Sequence, residues 1–242
     1  MQRLTVVLKK QVARFALGCV VAFGVSTSAF AQSNLVNVRI SLTVDNFYAL
    51  FAVDPNTNQL KLIGSETRNP PFDDAWKTVE TYQFTAPFGS YIYVVGRDVG
   101  AVAMFVSKTV FGNSITVLTG VSNPFANWEV NTIYRPNNFT ITDVSEVLNW
   151  GGGWQAPAVG RFVDQRETNS LPSFRDVDGA RFIWAQPGGG NQSAGRLDQW
   201  GFAGNTGPGT ALFRLQVVPE PASLLALGAG LAGLVGLRRR KR

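Results

Sequence analysis

The chain has 242 residues, no histidine and a single cysteine, Cys19. Nucleophiles activated by an imidazole and zinc sites built from Cys and His are therefore excluded. Serine chemistry with a lysine base also fails, because no Ser-x-x-Lys occurs and Lys61, Lys77 and Lys108 are the lysines of the central region. The side chains left for acid–base work are Asp73, Asp74, Glu80, Asp98, Glu129 and Glu146, which lie near aromatic residues. Glycoside cleavage needs two such acids roughly 5–10 Å apart across a cleft. No spacing in the chain pairs them, so they read as surface charges and no catalytic residue is assigned.

Oxygen-ligand sites fare no better. Asp54-x-Asn56-x-Asn58 imitates the start of a calcium loop, but Gln59 stands where Gly is needed and Ser65 where a bidentate acid is needed. It reads as a hairpin turn. Asp176 and Asp178, with Asp164 and Glu167 upstream, could offer carboxylates, but Asp-Gly turn chemistry accounts for them equally. No metal and no cofactor is expected. Six tryptophans remain, and an exposed ring can stack on a sugar face. Trp150 and Trp154 flank Gly151, Gly152 and Gly153, which cannot cover them, so they are the candidate glycan contacts, with core packing as the competing role. Gly228, Gly230 and Gly233 spell G-x-G-x-x-G inside an apolar run, without the strand and distal acid that phosphate binding requires.

Both ends of the chain read as targeting segments. Arg3, Lys9, Lys10 and Arg14 precede a contiguous apolar run, 15–25, and Ala29-Phe30-Ala31 is a small-x-small site before Gln32. This is a secretory leader, residues 1–31, cut by signal peptidase after Ala31. Cys19 would suit acylation, but Leu17 stands one place too late for that signal. At the other end, Val218-Pro219-Glu220-Pro221 leads into 222–237, a run with no charge and one polar side chain, Ser223. Arg238, Arg239, Arg240, Lys241 and Arg242 follow. As a helix, that run would rise ~24 Å, near the short limit for a bilayer core of about 30 Å. The basic cluster would act as the membrane stop and stay cytoplasmic. The prolines hold Glu220 on extended backbone.

With these ends set aside, 13 basic and 15 acidic residues remain between Gln32 and Val218. The basic pI of the whole chain belongs to the targeting segments, and no nucleic-acid partner is indicated. Without Cys or His, this central body of residues 32–216 must be held by its core alone.

Pro-Glu-Pro, an apolar span and an Arg-rich end, in that order, resemble the PEP-CTERM sorting signal of Gram-negative bacteria. The resemblance implies an exosortase-type membrane protease as partner and cleavage near Pro219–Pro221. It also implies an exported protein that passes through an inner-membrane intermediate to the cell surface, extracellular matrix or medium. The signal is sometimes described with ice-binding proteins, but the flat Thr-rich repeats that would support such a role are absent.

The body must then position whatever acts outside the cell. Val36, Val38, Ile40, Leu42 and Val44 alternate with polar residues, which predicts a strand with one buried face. Further strands are predicted at 47–53, 59–64, 79–84, 91–95, 101–107, 115–118, 180–185 and 210–218, with two helical turns at most at 143–150. Short strands separated by turn residues predict an all-β, antiparallel β-sandwich between a signal helix and a C-terminal transmembrane helix. A weak seam could fall near Tyr134-Arg135-Pro136. Asp45-Asn46-Phe47-Tyr48-Ala49-Leu50-Phe51 and the later Ala180-Arg181-Phe182-Ile183-Trp184 and Phe213-Arg214 are similar to strands of galactose-binding-like jelly rolls. The departure is at 54–58, where the Asn-Gly hairpin of that group is missing. The expected role is a structural or adhesive surface module, not an enzyme; the alternative is a carbohydrate-binding module for a cell-surface polysaccharide.

Overall fold

The computed structural model describes residues 35–67, 75–99, 103–133, 135, 140–185 and 209–219. The leader residues Ala29 and Ala31, and the tail from Glu220 to Arg242, lie outside these. Among the described residues, no helix is long and apolar enough to cross a membrane.

Two antiparallel sheets make up the fold. The strands in chain order are β1 (Leu35–Asp45), β2 (Phe47–Val53), β3 (Leu60–Glu66), β4 (Glu80–Pro87), β5 (Tyr91–Asp98), β6 (Met104–Phe111) and β7 (Ile115–Leu118). They continue with β8 (Glu129–Asn131), β9 (Trp154–Gln155), β10 (Ala158–Phe162), β11 (Arg181–Trp184) and β12 (Gly209–Gln216). One sheet runs β10-β11-β6-β1-β4, with β7 also on β6; the other runs β3-β2-β5-β12-β8-β9. Short helices at Val144–Leu148 and Gln165–Ser170 interrupt the pattern. The second one has no apolar periodicity to announce it. Its start is held by a capping box, in which Asp164 and Glu167 each bond the other's backbone N–H.

Alternation determines what the sheets bury. Val36, Val38, Ile40, Leu42 and Val44 of β1 all face the main core and are at most 3% exposed. From the facing sheet come Tyr48, Leu50, Ile92, Val94, Phe213 and Leu215. The two layers meet at Phe213, whose ring lies 4.9 Å from Phe105 and 5.5 Å from Trp184. Trp128 meets the other side of Phe105 edge-on at 4.9 Å. A smaller core sits on the outer face of the second sheet, where Ala49, Phe51, Val95 and Leu212 are covered by Ile141, Val147 and Trp150. Both faces of β2, β5 and β12 are therefore apolar, which is why these strands carry nearly continuous hydrophobic runs.

Arg135, where a seam was expected, is joined to the body. Its N–H and C=O exchange hydrogen bonds of 2.9 and 2.7 Å with Thr210 of β12. This pairing ties the segment before the 144–148 helix to the central strand.

Phe213 is fully buried between the layers, so Phe213→Ala should lower unfolding stability by ~3–5 kcal/mol. A urea titration followed by tryptophan fluorescence would show this as an earlier midpoint with an unchanged slope.

Candidate functional site

Five carboxylates of the described body, Glu80, Glu129, Glu146, Glu167 and Asp54, are bound into its own structure. Glu80 on β4 accepts from the Tyr82 hydroxyl at 2.6 Å and from the Tyr48 hydroxyl, and the two phenols lie 2.9 Å apart. Glu129 takes Arg214 at 2.7 Å, and Glu146 takes Arg135 at 3.1 Å. Glu167, 7% exposed, is gripped by both nitrogens of the Arg161 fork at 2.5 and 3.0 Å. Asp54 closes the 54–59 hairpin, accepting from the Asn56 N–H at 2.8 Å and pairing with Lys61 at 3.2 Å. These bonds hold its carboxyl below the ordinary value, as expected for a turn residue. No group of three or more potential metal ligands occurs among the described residues. Asp73 and Asp74 lie outside them.

Trp150 corrects the expectation drawn from its glycine neighbours. It is 2% exposed, and its indole N–H donates to the Ile133 carbonyl at 2.9 Å. Gly151 and Gly152 adopt φ of 72° and 75°, which folds the loop back onto β8. There Asn131 bonds the Gly151 carbonyl at 2.7 Å, and Thr132 accepts from the Gly153 N–H at 2.9 Å. The bare glycines leave Trp150 uncovered by their own side chains, but the ring points inward instead. Arg135 then stacks on it at 4.8 Å and bonds the carbonyls of Asn149 and Trp150.

Trp154 on β9 is half-buried at the edge of the outer face of the second sheet. The Arg214 guanidinium lies 4.0 Å from its ring centre and 4.4 Å from that of Tyr91. Tyr93 lies 6.2 Å from Trp154 and 6.1 Å from Tyr91. Three aromatics, one cation and the Glu129 carboxylate thus form a continuous, partly exposed strip. Alternation along β5 and β12 places Tyr91, Tyr93 and Arg214 on one face, but their convergence with Trp154 needs the β12–β8–β9 pairing, which no local signal announces.

The third feature is the end of β12. This strand is central, with β5 on one side and β8 on the other. Beyond its last paired residue, the Val217 N–H donates to the Ser90 carbonyl at 2.9 Å, and the Gly89 N–H donates to the Val217 carbonyl at 3.0 Å. Gly89 has φ of 81°, which lets the 88–90 turn present both groups to β12. Val217 is fully buried and Val218 is 6% exposed, both in the main core; Pro219 is half-buried. The folded body therefore runs without a spacer to Pro219. Glu220 and Pro221, and the membrane-stop residues, fall outside the described residues.

A family model for the PEP-CTERM protein-sorting motif matches residues 217–241. The match begins on Val217, inside the core of the sandwich. No curated protein and no solved structure matches the chain. The chain thus carries a PEP-CTERM sorting motif, which marks it for export and for processing by an exosortase at the membrane.

Burial and the shared Glu80 push the Tyr48 hydroxyl well above the ordinary phenol range, and the same causes raise Tyr82 to about 12. A phenol whose folded pKa is raised stabilises the fold fully below its unfolded value of about 10, and loses that contribution as pH climbs through the folded value. Urea midpoints should accordingly be unaffected by this cluster from pH 7 to 9 and fall between about pH 10 and 12. In Tyr48→Phe, the fall should be smaller.

Proposed function

We propose that this protein is a surface or extracellular-matrix module whose sandwich is a structural or adhesive unit. In this reading the leader is removed by signal peptidase at Ala31. Residues 222–237 span the inner membrane as a helix, and Arg238–Arg242 stop transfer. The exosortase cuts near Pro219–Pro221, and the sandwich is released to the surface. The chain is the substrate of this chemistry, not its catalyst.

The observation that carries the reading is the position of the motif. It starts on Val217 and Val218, the last buried residues of the described body, so the motif follows the sandwich directly. The engagement of Glu80 with tyrosines and of Glu129, Glu146 and Glu167 with arginines supports a non-catalytic body. Intact mass of the protein recovered from the host's surface or medium tests it. The expected species begins at Gln32 and ends between Val218 and Pro221. A recovered chain that retains Arg242 overturns the processing step.

Carbohydrate binding is the second reading, supported by the strip of Tyr91, Tyr93, Trp154 and Arg214. Aromatic edges beside a guanidinium and a carboxylate suit a sugar's C–H face and hydroxyls together. Trp154→Ala should then lower retention on the host's surface polysaccharide by about tenfold, equivalent to ~1.4 kcal/mol. Equal retention by the variant and the parent would leave the strip with a packing role alone.

A further inference from the structure

The missing spacer limits how far the body can stand from a membrane that holds its tail. Three residue steps separate Pro219 from Ala222, where the apolar run begins. Fully extended, they reach at most ~10 Å. The polar layer on each side of a bilayer core is itself about 5–7 Å deep. Pro219 is therefore held within a few ångströms of the lipid headgroups whenever the 222–237 segment is in the bilayer.

The elements fastened to that point are rigid. The 88–90 turn is bonded to Val217, two residues before Pro219. At the tip of this turn Phe88 is 52% exposed, a large apolar ring half open to solvent. The 54–59 hairpin lies at the same end, because β2 pairs with β5 through Ala52 and Ile92, beside the Tyr91–Gln216 pair. Val99 follows the opposite end of β5, eight residues and ~26 Å away, so the sandwich has one near end and one far end.

We propose that, before processing, the end of the sandwich formed by the 88–90 turn and the 54–59 hairpin rests in the lipid headgroup layer, with Phe88 as its contact. A large apolar side chain that reaches the headgroup/acyl boundary gains by burying its exposed surface there. This rests on the reading of 222–237 as a membrane span. It also has a consequence for processing. Val217 and Val218 stay in the core, so the bonds open to a membrane protease begin with the one that joins Val218 to Pro219.

The test uses residues 32–242, the chain left once the leader is removed, which contains no cysteine, reconstituted in phosphatidylcholine vesicles containing a headgroup-labelled quencher lipid. A fluorophore is placed on Asn56→Cys, in the exposed 54–59 turn, or on Val99→Cys at the far end. The Asn56 probe should be quenched severalfold more than the Val99 probe. Inserting ten Gly/Ser residues between Val218 and Pro219, or introducing Phe88→Ser, should bring it toward the Val99 level. Equal quenching of the two probes in a chain that floats with the vesicles overturns the proposal. A chain that fails to float overturns the span itself, and the proposal with it.

Discussion

Main-chain pairing of β12 is the constraint on which the rest of the structure depends. It is the last of the described strands, yet it lies in the middle of its sheet, bonded to β5 along its whole length and to β8 on the other side. A strand left out of that position would expose two rows of unpaired N–H and C=O groups inside a sheet, and would uncover Phe213 at the meeting point of the layers. The smaller outer core depends on it as well, since Leu212 is its floor and Arg135 pairs with Thr210. In a chain with no disulfide to close long loops, this late and long-range pairing carries the weight that a covalent bridge would carry elsewhere.

The same strand joins the two halves of the protein's purpose. A sorting motif needs an accessible, extended backbone, whereas a core needs buried residues. Here the change from one to the other takes place between Val217 and Pro219. Val217 and Val218 belong to the sandwich by packing and to the motif by sequence. The proline that follows lacks the N–H another ladder bond would use, so pairing ends there for a covalent reason.

Polar side chains on the surface are used in pairs that fasten loops. Arg135 holds the turn after the 144–148 helix, Arg161 holds the start of the 165–170 helix through Glu167, and Arg214 links β12 to β8 through Glu129. Partly exposed pairs of this kind contribute little each to stability. Their effect is to select one loop arrangement out of many. Two of these guanidiniums also stack on tryptophan, so each orders a ring as well as a carboxylate.

The strands were readable from local pattern. Alternation in β1 and the runs that became β2 to β7, β11 and β12 depend on side-chain period, a property of adjacent residues. The short strands β8, β9 and β10 and the polar 165–170 helix carry too few apolar residues to show a period. The sorting motif was equally legible, since three prolonged features in fixed order need no tertiary partner to be seen. By itself, then, the sequence determined the all-β class, the lack of imidazole and thiol chemistry in the body, and the export signal at its end. Tertiary structure alone decided which side chains meet. Trp150 was expected outward because its glycine neighbours are bare, and it turned inward because those glycines let the loop fold back onto Asn131 and Thr132. Trp154 joined Tyr91, Tyr93 and Arg214 through pairing across strands distant in the chain. Such meetings follow from register and loop closure, which sum contributions over the whole molecule and leave no mark on any short stretch of it.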